Sequence, residues 1–390
     1  MRFSPLLKLE PTMNFALSEE QQMLQQMAKD FVGRESSLKR IRALREDPLG
    51  FSREVWRKMA ELGMLGITLP ESDGGQGMGM VEMVVVMEEL GRGLMPEPML
   101  STVLLGANAL RYGGSAAQRK AWLPRVAAGE ALLTLAYQEV QSRYEPFDVV
   151  TQAKKSGKGW TLQGEKIFVP DAEAADVLVV TARTAGSRRD REGVELFLVP
   201  RKAKGVSLEL VPSMDWRKRY RVKLAGVALE SDARLEGERP PDQALEAALD
   251  RATTGISAEM LGAMNQAFAL TLDYLKTRVQ FGKPIGAFQA LKHRTVDEYV
   301  QTELARSSVY YAAMSLDESL PEQGAAVSTA KARCNDAFHL VANESIQMHG
   351  GIGMTDEHDI GFFFKRARVA EVTLGDAAFH RERYARLREY

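Results

Sequence analysis

One cysteine, Cys334, stands in the whole chain. That excludes an intramolecular disulfide framework and a CxxC motif, and it fits a reducing, cytoplasmic setting. The five histidines, His293, His339, His349, His358 and His380, form no HxxxH or HExxH pair, so no metal site is expected. No apolar run reaches the ~18 residues of a membrane span. Charge of neither sign dominates: 51 basic against 52 acidic residues leave a net −1, and no electrostatic argument favours nucleic acid or an anionic membrane. The opening MRFSPLLKLEPT has one short apolar patch and no small-residue cleavage site. It reads as an extension over residues 1–12 rather than a signal peptide.

What is present is an ordinary composition, 45% hydrophobic and 26% charged, over 390 residues, enough for two or three packed units. Three zones differ in period. In residues 13–130, Ser18-Glu19-Glu20 precedes Leu24, Met27, Phe31 and Val32 at helical spacing. A second helix carries Val55, Met59 and Leu62. Glycines and Pro70 then break the order before helix resumes at Met83, where Met83 and Met87 fit core filler or the wall of a ligand tunnel. Residues 131–242 hold short β-branched runs, WTLQGEKIFVP, DVLVVTART, VELFLVP and VSLEL, which predict a sheet or small barrel. In residues 243–390, Ile256, Met260, Met264, Phe268, Leu272 and Leu275 predict a long helix beginning near Thr254. Val296, Val300 and Leu304 predict a second, and Cys334, Phe338 and Val341 a third, in an antiparallel bundle. Gly255 and Gly262 suggest close helix approach or partner contact.

Two stretches could carry chemistry. Gln347 to Thr355, QMHGGIGMT, lies between helices. Its glycines admit close approach of backbone to a ligand, and the next helix start can bind an anion, but a plain interhelical break explains it as well. It is not GxGxxG and no strand leads into it, which excludes a Rossmann site. Arg278 to Gly286, RVQFGKPIG, ends a helix. There Arg278 and Lys283 either complement the helix dipole, or Arg278 clamps a phosphate with Phe281 as an aromatic platform.

Taken together, RVQFGKPIGAFQALKH followed by IQMHGGIGMTDEHDI, with LPESDGGQGMGMVEMVVVMEELGR and GWTLQGEKIFVPDA upstream, resembles the acyl-CoA dehydrogenase family. The resemblance runs from about Met13 to Arg386. It implies an α+β multidomain fold: an N-terminal helical domain, a central β-barrel domain and a C-terminal four-helix bundle. It implies FAD as cofactor, an acyl-CoA substrate oxidised to the 2-enoyl-CoA, an electron-transfer flavoprotein as acceptor, and a homo- or hetero-oligomer built as a dimer of dimers. By position, Arg278, Gln280, Phe281 and Gln289 should meet the FAD of a neighbouring subunit, as should Gln347, Gly350 and Gly351. Gln138 should lie near the flavin pyrimidine, in place of a usual threonine. Phe168 and Val169 should flank the ring, Phe168 in place of a usual tryptophan. Pro170 replaces a threonine and offers neither hydroxyl nor N–H.

The family's base is a glutamate near the C-terminus, and its usual position falls on Gly375. A second family solution falls at about Ala252, with Asp250 the nearest carboxylate. The resemblance therefore leaves Asp376 as the candidate catalytic base, and an N-cap on the last helix as its other reading. It also leaves a catalytically silent subunit that completes the FAD site in a two-gene dehydrogenase for bulky steroid or dicarboxylic acyl-CoA, or another flavin reaction. His380, Arg381 and Arg383 read as helix-surface charge partnered by Glu382, or as an anion site.

Overall fold

The computed structural model describes residues 15–390, and the expected extension over residues 1–12 lies outside them. Among the described residues, six α-helices come first: α1 (Glu19–Glu35), α2 (Leu38–Leu44), α3 (Arg53–Glu61), α4 (Met80–Arg92), α5 (Asn108–Gly113) and α6 (Ala116–Ala127). The start at Ser18 is a capping box, in which the Ser18 hydroxyl accepts from the Gln21 N–H and the Gln21 side chain accepts from the Ser18 N–H. Met83 and Met87 are fully buried in the core and line neither of the cavities described below. Leu62 follows the end of α3 and is exposed, not part of the buried stripe. A π-helix, Met99–Ala107, precedes α5 and has no counterpart in the sequence expectations.

Seven strands follow: β1 (Leu133–Ala136), β2 (Gln152–Ser156), β3 (Gly159–Pro170), β4 (Val177–Arg183), β5 (Val194–Pro200), β6 (Val206–Val211) and β7 (Arg219–Leu229). They form one curled sheet in the order β1-β4-β2-β3-β7-β6, with β5 also paired to β4. Its core holds Leu162, Val180, Phe197 and Val222. The β3–β7 register slips between Lys166 and Val169 and resumes with Val169 opposite Tyr220 and Pro170 opposite Arg219. This bulge holds Phe168 at φ +52 and leaves its ring half-exposed.

The rest is helical: α7 (Pro241–Thr277), a small hairpin of β8 (Val279–Gln280) and β9 (Lys283–Pro284), then α8 (Gln289–Asp317), α9 (Gln323–His349), α10 (Ile360–Val372) and α11 (Ala377–Leu387). Helix α7 starts at Pro241, not near Thr254, because proline at its first turn sacrifices no internal hydrogen bond. Gly255 and Gly262 do serve close approach. A Cβ on Gly262 would lie 1.7 Å from the Glu88 carbonyl oxygen, and one on Gly255 2.3 Å from Leu104. Helix α8 forms, but Val296, Val300 and Leu304 face outward with Tyr299, while Ala305, Val309, Ala312 and Ala313 are buried. The three-and-four spacing marks a helix face without saying whether its own chain covers that face.

Sheet and bundle meet through buried charges. Arg217 and Arg366 both contact Glu259, at 3.0 and 2.9 Å, while Asp215 lies 3.3 Å from Arg366 and 3.4 Å from Arg219. Burial opposes the charge on Asp215, but the surrounding guanidiniums outweigh it and hold its carboxyl below the usual range. Losing one member would strand its partners in the interior.

Candidate active site

A cavity of about 750 Å³ lies between the curled sheet and the end of α10. Leu100 and Leu105 of the π-helix, Leu135 of β1, and Val369 and Val372 of α10 give it apolar walls. Gln138, Phe168 and Pro170 line it as well. Val169 does not. Its side chain is buried in the sheet core, as strand alternation between Phe168 and Pro170 requires.

The cavity lip is the loop after β1, held by Glu139. This buried carboxylate accepts from the Val150 and Thr151 N–H groups, at 2.8 and 3.1 Å, and from the Lys166 ammonium at 2.6 Å. Burial pushes Lys166 down to about 8, with Glu139 acting against it. Arg143, at φ +50, is 82% exposed along its side chain and lines the mouth. The Gln138 amide donates to the Arg143 carbonyl, so this lip is tied to itself.

Among the described residues, no aspartate or glutamate lines this cavity. The turn that should bring one in, Thr373–Asp376, is fastened from several sides. Leu374 sits at φ +61 and Gly375 at φ +113. His380 Nε2 donates to the Leu374 carbonyl at 2.9 Å. Lys331, wholly buried, donates to the carbonyls of Ala370, Glu371 and Gly375 and to Asn335, at 2.7–3.3 Å. A Cβ on Gly375 would lie 2.6 Å from His380 Nε2 and 2.6 Å from Phe379 Cδ1. A glutamate at 375 therefore needs both rings to shift and a backbone dihedral that side chains rarely adopt. Asp376 caps α11, its Oδ1 accepting from the Phe379 N–H at 2.8 Å, and its carboxylate lies 3.8 Å from Arg143 with its side chain 26% exposed.

Burial pushes Lys331 down to about 7 and His380 down to about 3, so His380 is neutral at physiological pH. Four acceptors and no donor face Lys331, which the ammonium satisfies better than the amine. Lys331→Met should destabilise the fold by about 2–4 kcal/mol by leaving those carbonyls without a buried donor, read from urea unfolding at pH 7. The unfolded lysine binds its proton up to about 10.5, so the native state's protonation penalty shrinks as pH rises from 7 to 10.5. The wild type should gain stability across that window, and the methionine variant should lose the slope.

A second space, about 50 Å³, lies beyond Tyr137, Tyr144 and Leu374 and is walled by Asp250, Thr253, His380 and Arg383. Burial raises the pKa of Asp250 against the opposing pull of Arg383, which contacts it at 2.8 Å. The nearest carboxylate to the second family position is thus already engaged. His380 and Arg383 are consequently not surface charge, and Arg381 pairs with Asp336, not Glu382.

The remaining candidates gather on a different face. Arg278 ends α7, Gln280 lies in the hairpin and Gln289 opens α8; all three are exposed. Phe281, at φ +53, is 91% exposed. Gln347, Gly350 and Gly351 join them because Tyr274 of α7 stacks on His349 at the end of α9, with ring centroids 4.5 Å apart. None of these residues lines the 750 Å³ cavity. A Cβ on Gly350 or Gly351 would meet nothing within 4 Å, so the turn is open to a ligand. An unengaged guanidinium, an exposed ring and an open glycine turn suit a phosphate-bearing aromatic cofactor. No metal-binding cluster exists, and no helix is long and apolar enough to cross a membrane, among the described residues.

Residues 18–130, 134–217 and 242–387 match the N-terminal, middle and C-terminal domains of acyl-CoA dehydrogenase. The acyl-CoA dehydrogenase IpdE2 of Mycolicibacterium smegmatis is 32% identical over 92% of this chain and 96% of its own length. Among solved structures, the Tcur3481–Tcur3483 steroid ACAD has a TM-score of 0.86 at 31% identity, covering 95% of this chain and 98% of that one. The ChsE4–ChsE5 complex from Mycobacterium tuberculosis has a TM-score of 0.87 at 29% identity, covering 96% and 98%. The chain belongs to the acyl-CoA dehydrogenase family, whose members are FAD-dependent oxidoreductases acting on acyl-CoA.

Proposed function

We propose that this chain is the base-less subunit of a hetero-oligomeric acyl-CoA dehydrogenase for a bulky acyl-CoA. The observation that carries the reading is the cavity wall, which holds no carboxylate among the described residues, together with a turn at Gly375 where a side chain would have to displace the His380 and Phe379 rings. Abstraction of the weakly acidic α-proton needs a positioned base within hydrogen-bond reach. A related chain that keeps the glutamate supplies it. FAD, when bound, supplies the hydride-accepting centre, and an electron-transfer flavoprotein takes the electrons onward. This chain's contribution is the Arg278, Phe281, Gln347 and Gly351 face, which holds the phosphates and aromatic end of a neighbour's FAD. The outward strip of Val296, Tyr299, Val300 and Leu304 on α8 gives the assembly an apolar surface. The pairing named for the two solved relatives, Tcur3481–Tcur3483 and ChsE4–ChsE5, supports a two-chain assembly.

One observation favours a second reading. Asp376 lies 3.8 Å from Arg143, and Arg143 lines the cavity, so a modest turn movement would bring Asp376 to the mouth as base of a self-sufficient enzyme. Anaerobic titration of the chain expressed alone with saturated acyl-CoAs separates the two. The base-less reading expects no bleaching of the flavin band, or no flavin without a partner chain. Bleaching that vanishes in Asp376→Asn would overturn it and make Asp376 the base.

A further inference from the structure

Among the described residues, two cations, Arg143 and Arg219, and no carboxylate line the apolar cavity. Arg143 sits at the exposed mouth, whereas Arg219 opens β7 on the inner wall with its side chain only 13% exposed. Its place follows from register, since Arg219 is the cross-strand partner of Pro170, and both face the cavity. Pro170 has no N–H to offer, so the strand segment Phe168–Pro170 presents the cavity with one donor fewer. The Arg219 guanidinium has five N–H donors, and three hydrogen bonds engage it: to Ser213 Oγ at 3.1 Å, to Asp215 Oδ1 at 3.4 Å and to Thr373 Oγ1 at 3.3 Å. Donors remain unspent. Asp215 partly offsets the charge, but Asp215 also faces Arg366 and does not line the cavity.

We infer that Arg219 is the cavity's charge-setting residue: it presents a fixed cation to a flavin ring lying along Phe168–Pro170 and favours any state of that ring carrying negative charge. The inference rests on the ring occupying this chain's own cavity, and it is independent of which chain supplies the base. A cation held in a poorly solvated wall acts more strongly than the same charge in water, and charge beside the ring is one of the protein's means of tuning a flavin.

The test uses the FAD-loaded protein, co-expressed with its partner chain if FAD is retained only then. Sulfite, whose adduct with oxidised flavin is anionic, is the probe, and the two-electron midpoint potential is the second readout. Arg219→Gln should weaken sulfite binding by tenfold or more and lower the potential by about 30 mV for each tenfold. Arg219→Lys should stay within threefold of wild type. Thr373→Val, which removes one acceptor and keeps the cation, should change little. An Arg219→Gln protein with wild-type sulfite affinity and potential overturns the inference. So does a Thr373→Val protein that shifts as far as Arg219→Gln, or FAD that never enters this cavity. If Arg219→Gln holds no FAD, Arg219→Lys decides: a wild-type potential supports the role of charge, and a tenfold-equivalent fall overturns it.

Discussion

Replacing Glu298 by glutamine is expected to raise the melting temperature at pH 8 and to leave it nearly unchanged near pH 4.5. Glu298 lies on α8 with no solvent exposure, and neither carboxylate oxygen has a hydrogen-bond partner. Burial, reinforced by Glu344 and opposed by Arg294, pushes its pKa up to about 8 from about 4.5. Between those values the native state keeps a proton that the unfolded chain has lost. Stability from this residue is therefore complete below about 4.5 and declines as pH rises to about 8. At about 1.4 kcal/mol per pH unit, the loss at pH 8 is on the order of 3–5 kcal/mol. Glutamine keeps the shape of the neutral acid and cannot ionise. Thermal unfolding of both proteins at pH 5, 6.5 and 8 checks this: the curves should diverge upward in pH, and parallel curves would refute the buried-acid account.

Installing the family's glutamate in its usual place should fail. Gly375→Glu forces a side chain onto φ +113 and into the His380 ring, a strain and overpacking penalty of roughly 2–5 kcal/mol. We expect a lower melting temperature and no acyl-CoA-dependent bleaching. Adding His380→Ala should return part of the stability by vacating the ring, although the Leu374 carbonyl then loses its donor. A single Gly375→Glu protein as stable as wild type would mean that the turn is more pliable than its two buried clamps, His380 and Lys331, suggest.

Local features were legible in the sequence. Ser18 and Asp376 cap helices through bonds within one turn, so their residue types suffice to read them. Gly255 and Gly262 announced close packing without naming α4 or the π-helix as the neighbour. Strand β7 went unread although Tyr220, Val222 and Leu224 alternate inward, because arginine and lysine on its outer face masked the period. Strand β2, QAKKS, is too polar to signal itself and forms by pairing with β3. The buried charges were illegible for a deeper reason. Nothing in the types of Lys331, His380 or Glu298 tells that they lie inside, because their burial depends on neighbours distant in the chain, such as Gly375, Ser328 and Glu344. Arg219 is the same case at the cavity: only the β3–β7 register places it opposite Pro170.

Helix α7 belongs to two places at once. Asp250 and Thr253, in its early turns, wall the small space beside the cavity, and its last turn delivers Arg278 to the exposed hairpin. At about 1.5 Å per residue those points are roughly 40 Å apart on one uninterrupted rod, clamped along its middle where Gly255 and Gly262 press on the π-helix and α4. A substitution scan along it should therefore read as two separate functional phenotypes, with a span between them where changes such as those at Gly262 or Glu259 cost stability instead. Whatever evolves at one end inherits the alignment of the other.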